Sequence, residues 1–141
     1  MVYFDTSAAV PLFVREPASA AVDAWFEACA EPLVSSDWIV TEFASALSLK
    51  ERSGALSAKD ARAAWRGFEA FCGSGLRLVA VSRQAFREGA GLTRQQVHGL
   101  RAGDALHLAV ALEAGAKAIA TLDATLAANA RRLKLRTVKF Q

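Results

Sequence analysis

The stretch "VYFDTSAAV" (residues 2–10) decides the fold. Val2, Tyr3 and Phe4 read as a short buried strand, and a lone carboxylate, Asp5, ends it. Two roles are open to an aspartate at this point. It can cap the following helix by accepting from the free N–H groups of the first turn. It can also stand at the carboxyl edge of a parallel sheet, where open α/β folds build their chemistry.

The remainder of the chain bears on that choice. Its 141 residues suit one domain, 1–141, with a proper core, and the 53% apolar content is that of a globular protein. No apolar run approaches the ~20 residues of a membrane span. The N-terminus lacks the basic start and long apolar segment of a signal peptide, so a complete, cytoplasmic chain is expected. Cys29 and Cys72 stand far apart without a CxxC pair, which argues against zinc or a disulfide and for buried reduced thiols. Charge is unevenly divided. Residues 1–73 carry 6 Lys/Arg and 10 Asp/Glu, a net −4, whereas residues 74–141 carry 11 and 4, a net +7. A basic second half suits a polyanionic partner such as a nucleic acid.

Periodicity gives an alternating order of elements. Strands are expected at 2–4, 32–36, 76–81, 117–122 and 136–140. Helices are expected at 6–15 (interrupted by Pro11), 16–30, 37–54 (with Asp37 as a cap and Gly54 as a stop), 57–75, 82–100 (weakened by Gly89 and Gly91), 103–115 and 123–133. Strands alternating with helices, several of them continuously apolar, predict an α/β fold with a parallel sheet sandwiched by helices.

Four carboxylates then draw together. Asp5 and Asp123 each follow a strand and Asp104 opens a helix, so each alone is explained by capping. Glu42 is not. At ~100° per residue it shares a stripe with Trp38, Ile39, Ala46 and Leu49, and a glutamate on an apolar stripe is costly unless paired or bound to a metal. Four carboxylates at one sheet edge raise one another's pKa, and a hard divalent cation removes that penalty. Oxygen-only ligation points to Mg²⁺, with Mn²⁺ as substitute, and such a site polarises a phosphodiester and activates water. Thr6 and Ser7 beside Asp5, and Thr121 on the strand face of Asp123, are candidate supporting residues. His107, one turn beyond Asp104, reads as a packed histidine with a hydrogen bond to the site within reach, and His98 as a surface residue. The aromatics Phe13, Trp25, Phe26, Trp38 and Phe43 exceed what a small core readily hides, which suggests an apolar groove for a partner segment.

"FDTSAAVPLFVREPAS", "VTEFASAL", "LRAGDALHLAVALEAGA" and "IATLDATLAANARRL" together resemble the PIN-domain family, in particular the VapC-type toxins of bacterial toxin–antitoxin systems. The resemblance spans nearly the whole chain. It implies a PIN domain in which Asp5, Glu42, Asp104 and Asp123 form a catalytic, metal-binding quartet, with Asp5 and Asp104 the most direct ligands. It further implies Mg²⁺- or Mn²⁺-dependent RNA cleavage, a homodimer and inhibition by a VapB-type antitoxin. Gly103, where relatives often carry a larger residue, departs from the pattern at the entry of the helix that bears Asp104.

Rival classes fit less well. A haloacid-dehalogenase-like phosphatase needs a second aspartate where Ser7 stands. A response-regulator receiver needs an acidic pair after its first strand and a phosphoacceptor after a middle one. A non-catalytic nucleic-acid-binding module leaves Glu42 unexplained. A housekeeping PIN-domain nuclease without a toxin role differs in biology rather than chemistry.

Overall fold

The computed structural model describes residues 1–141. Five strands, β1 (Val2–Phe4), β2 (Leu33–Ser36), β3 (Arg77–Val79), β4 (Ala118–Ala120) and β5 (Arg136–Thr137), form one sheet in the order β3-β2-β1-β4-β5. Every pairing is parallel. The helices are α1 (Thr6–Phe13), α2 (Ser19–Ala28), α3 (Trp38–Arg52), α4 (Ala58–Ser74), α5 (Arg83–Arg94), α6 (Ala102–Glu113) and α7 (Ala124–Arg132). No helix is long and apolar enough to cross a membrane.

Topology follows from handedness. The chain steps outward from β1 through β2 to β3, then returns to the far side of β1 as β4 and β5. Right-handed crossovers that reverse direction must also change face. Accordingly α1, α3 and α4 pack on one face with Val2, Phe4, Leu33, Ala118 and Ala120, joined by Trp25 and Phe26 of α2. Tyr3, Val34 and Ile119 point to the other face, against α5, α6 and α7. The alternation Val2/Tyr3/Phe4 is the period of a strand buried on both sides. Reversal between β1 and β4 opens a crevice at their carboxyl ends, the switch point of the sheet.

The first core is aromatic. Phe43 and Phe68 are fully buried and stack with ring centroids 4.0 Å apart, while Phe13, Phe71 and Trp65 close around them. Most of the aromatics expected to form a partner groove are therefore consumed internally. Of those five, only Phe13 lines an apolar groove at the end of α1, together with Leu12, Val14, Leu56, Ala63 and Ala64.

Local departures from the sequence-based expectations have simple causes. Pro11 sits inside α1 without breaking it. In so short a helix it forfeits one backbone donor, and its carbonyl accepts from Ser19 Oγ and from the Arg15 guanidinium, both at 2.7 Å. Asp37 is helical and makes no capping bond, so α3 starts uncapped. Gly89 and Gly91 leave α5 intact; it ends at Arg94, before a 3-10 turn over Gln96–His98 and a left-handed Gly99. Cys29 and Cys72 are free but only half-buried.

Phe68 belongs to the aromatic core and lines neither hollow at the sheet edge, so Phe68→Ala probes that core. It should cost about 3–5 kcal/mol, read as a lower urea midpoint at unchanged slope.

Candidate metal centre at the sheet edge

Asp5 performs both roles that its sequence position allowed. Its side chain accepts from Ser7 N (3.3 Å) at the start of α1, and it is 2% exposed at the switch point. Its backbone N–H donates to Ala120 O (3.0 Å) and prolongs the β1–β4 ladder by one bond. Oδ2 also accepts from Ser7 Oγ (2.6 Å) and Thr121 Oγ1 (2.8 Å). Three donors thus fix that oxygen, and Oδ1 stands 3.6 Å from His107 Nε2. Ser7 Oγ accepts in turn from Leu122 N (2.8 Å), and Thr121 Oγ1 from Asp123 N (3.1 Å). These two hydroxyls tie the end of β1 to the end of β4.

Asp123 caps α7, accepting from Leu126 N at 2.7 Å through Oδ1. Asp104 has no such duty. The N-cap of α6 is Arg101, and Asp104 lies in the first turn. Burial, reinforced by the charges of Asp5, Asp123 and Glu42, pushes its carboxyl up to about 6.

Glu42 reaches the same place from α3. Its Oε1 accepts from Thr6 Oγ1 (2.6 Å) and is hydrogen-bonded to His107 Nε2. Burial opposes its ionisation, but the His107 bond and charge, with Thr6 and Trp38, outweigh it and hold the carboxyl below its ordinary value. The indole N–H of Trp38 contributes although it makes no hydrogen bond of ordinary geometry. The stripe that drew attention to Glu42 faces the core only in part, through Ile39 and the inner side of Ala46. Core contacts of α3 run through Ile39, Phe43 and Leu47, and Leu49 is 60% exposed. Glu42, Ala46 and Leu49 instead form one wall of a cleft.

That cleft, about 340 Å³, is lined by all four carboxylates, Asp5, Glu42, Asp104 and Asp123, with Thr6 and Ser7. Thr121 joins through its bond to Asp5. An adjoining cavity of about 350 Å³ shares Glu42, Asp104 and Asp123 and adds Trp38, Arg101 and Gly103.

His107 is the residue that sequence reading undervalued. It is fully buried, and its Nδ1 is hydrogen-bonded to Tyr3 Oη (2.7 Å). Burial disfavours the imidazolium, yet the Glu42 bond and the charges of Asp5, Glu42 and Asp104 prevail and raise its pKa. It braces the cluster from beneath, hydrogen-bonded to Tyr3 at one ring nitrogen and to Glu42 at the other. Its i, i+3 spacing from Asp104 was the available signal. Donor atoms of Asp5, Glu42 and His107 lie within 4.8 Å of one another, the spacing of a metal-ion site. Asp104 and Asp123 line the same cleft but lie outside this close set, and a cleft walled by four carboxylates fits a hard divalent ion.

Asp104 makes the free-energy consequence testable. With its folded value raised above the ordinary 3.8 to about 6, ionisation costs stability above that range and nothing below pH ~4. Metal-free Asp104→Asn should therefore be more stable than the wild type at pH 8 by about 1 kcal/mol, a figure reduced for solvent screening. The advantage should shrink as pH falls from 6 to 4, measured by urea unfolding in EDTA.

Comparisons with known proteins give the family and the fold. The PIN-domain family profile matches residues 2–132. Ribonuclease VapC45 and ribonuclease VapC49, from two strains of Mycobacterium tuberculosis, are each 33% identical over 115 residues, covering 82% of this chain and 77% of theirs. Among solved structures, M. tuberculosis VapC20, a sarcin-ricin-loop-cleaving toxin, superposes with TM-score 0.74 at 16% identity, over 92% of this chain and 95% of its own. VapBC2 of Rickettsia felis, bound to a promoter DNA fragment, gives 0.67 at 18% identity over the full length of both chains. The carboxylates at the switch point thus sit in a fold shared with these proteins, and the chain belongs to the PIN-domain family.

Proposed function

We propose that this protein is a metal-dependent endoribonuclease and the toxin of a VapBC-type toxin–antitoxin pair. The observation that carries the reading is the convergence of Asp5, Glu42, Asp104 and Asp123 on one cleft at the sheet's switch point. Asp5 and Asp104 are the principal ligands of Mg²⁺, for which Mn²⁺ can substitute, with Glu42 and Asp123 completing the acidic surround. When bound, the ion polarises a phosphodiester and lowers the pKa of an attached water. Thr121 and Ser7 hold Asp5, while Thr6 and His107 hold Glu42, so the ligands are oriented before substrate arrives. The exposed arginines Arg83, Arg87, Arg94, Arg101, Arg131 and Arg132 supply candidate contacts to the RNA backbone.

Partners follow the same reading. FitAcB of Neisseria gonorrhoeae (TM-score 0.69) and VapBC2 of R. felis are among the structures of this fold. A VapB-type antitoxin is the proposed inhibitor, with the apolar groove at the end of α1 receiving an amphipathic segment. The protein acts in the cytoplasm, as a homodimer.

Asp5→Asn and Asp104→Asn should each reduce RNA cleavage by about 100-fold or more, with far-UV circular dichroism unchanged. EDTA should silence the wild type, and Mg²⁺ or Mn²⁺ restore it. Full cleavage by either variant in metal-replete buffer contradicts the ligand assignment. RNA affinity should fall steeply between low and physiological salt as counterion release weakens; a flat response removes the basic surface from the reading. Expression of the chain alone should arrest bacterial growth, with relief by its co-expressed antitoxin. Normal growth with abundant soluble protein favours a housekeeping nuclease.

A further inference from the structure

The acidic residues form a divide between two hollows of different chemistry. Glu42, Asp104 and Asp123 line both. On one side lie Val10, Ala46 and the exposed Leu49, an apolar wall. On the other lie Trp38, Arg101 and Gly103. A strand crossing the divide with its scissile phosphate at the carboxylates must place the adjoining nucleotide in the second hollow.

Three features of that hollow suit a nucleotide. Arg101 is exposed, and its guanidinium makes no hydrogen bond or ion pair within the chain. It stands at the N-cap of α6, whose first turn already holds Asp104, so the guanidinium is the group of this hollow that attracts an anion. Trp38 is the one aromatic residue lining the hollow, and its buried indole N–H, on the Glu42 side, makes no hydrogen bond of ordinary geometry. Gly103 keeps the space open. A Cβ there would stand 2.7 Å from Glu42 Oε2 and 3.2 Å from Trp38 Nε1, so any side chain would crowd both.

We propose that Trp38, Arg101 and Gly103 form the subsite for the RNA nucleotide next to the cleaved bond, with Arg101 on its phosphate and Trp38 against its base. The inference rests on the ribonuclease reading above and adds the residues that position the strand. Arg101 is a positioning residue here, since it binds a phosphate other than the one attacked. Stacking on an aromatic side chain tolerates any base, so the subsite fixes the strand's placement more than its sequence.

Steady-state cleavage of a fluorophore–quencher RNA oligomer, alongside Mn²⁺ titration without RNA, tests the proposal. Arg101→Gln should raise KM about tenfold, the loss of one charged hydrogen bond, with kcat within twofold and Mn²⁺ affinity within threefold of wild type. Trp38→Leu should raise KM similarly, and Trp38→Phe should recover most of the loss. A KM within twofold of wild type for Arg101→Gln overturns the subsite, as does a joint fall of kcat and Mn²⁺ affinity with KM unchanged. A wild-type protein that binds Mn²⁺ and cleaves no RNA overturns the ribonuclease reading itself, and the subsite with it.

Discussion

The pairing of β1 with β4 is the constraint on which the site depends. Val2, Tyr3 and Phe4 align with Ala118, Ile119 and Ala120, and the backbone bond from Asp5 to Ala120 continues the ladder past both strands. Asp5 and Thr121 are thereby neighbours, joined by a 2.8 Å hydrogen bond. A slip of one residue would send Asp5 to the opposite face. Both faces of β1 are buried, by an aromatic core on one side and an alanine- and leucine-rich core on the other, so that slip is strongly opposed.

The same pairing concentrates negative charge at one point. Folding buries Asp104 and sets it near the charges of Asp5, Asp123 and Glu42, which together raise its carboxyl to about 6, a cost the chain carries in the absence of a cation. Beneath the cluster, His107 offsets part of it from the opposite side, fixed by Tyr3 at Nδ1 and by Glu42 at Nε2. Sites that trade stability for binding are held by rigid surroundings. Here the surroundings are the ends of β1 and β4, the first turns of α1, α6 and α7, the helix α3 that carries Glu42, and the two hydroxyls that clamp Asp5.

How much of this the sequence revealed depended on how local the cause was. The strand before Asp5, the helix ends at Ser57 and Asp123 and the α/β alternation rest on period and capping, and the structure bears them out. Glu42 was singled out correctly for its place in the cleft, on a ground that holds in part. Of its stripe, Ile39 is buried and Ala46 packs on the core, but Leu49 is exposed, and the core continues through Phe43 and Leu47. The difference lies in where α4 packs, which no local pattern records. His107 was undervalued for the same reason, since its partners Tyr3 and Glu42 are 104 and 65 residues away. Pro11 was expected to interrupt α1, but the eight-residue helix runs through it and buries it, with Ser19 and Arg15 satisfying its last-turn carbonyl.

A crystal soaked in Mn²⁺ tests the central claim most directly, because anomalous scattering locates the ion without reference to activity. The expected result is a peak in the cleft within bonding distance of Asp5 and Asp104, lost in Asp5→Asn crystals. A cleft without a peak at millimolar Mn²⁺, or an ion held elsewhere while RNA is still cleaved, would contradict it.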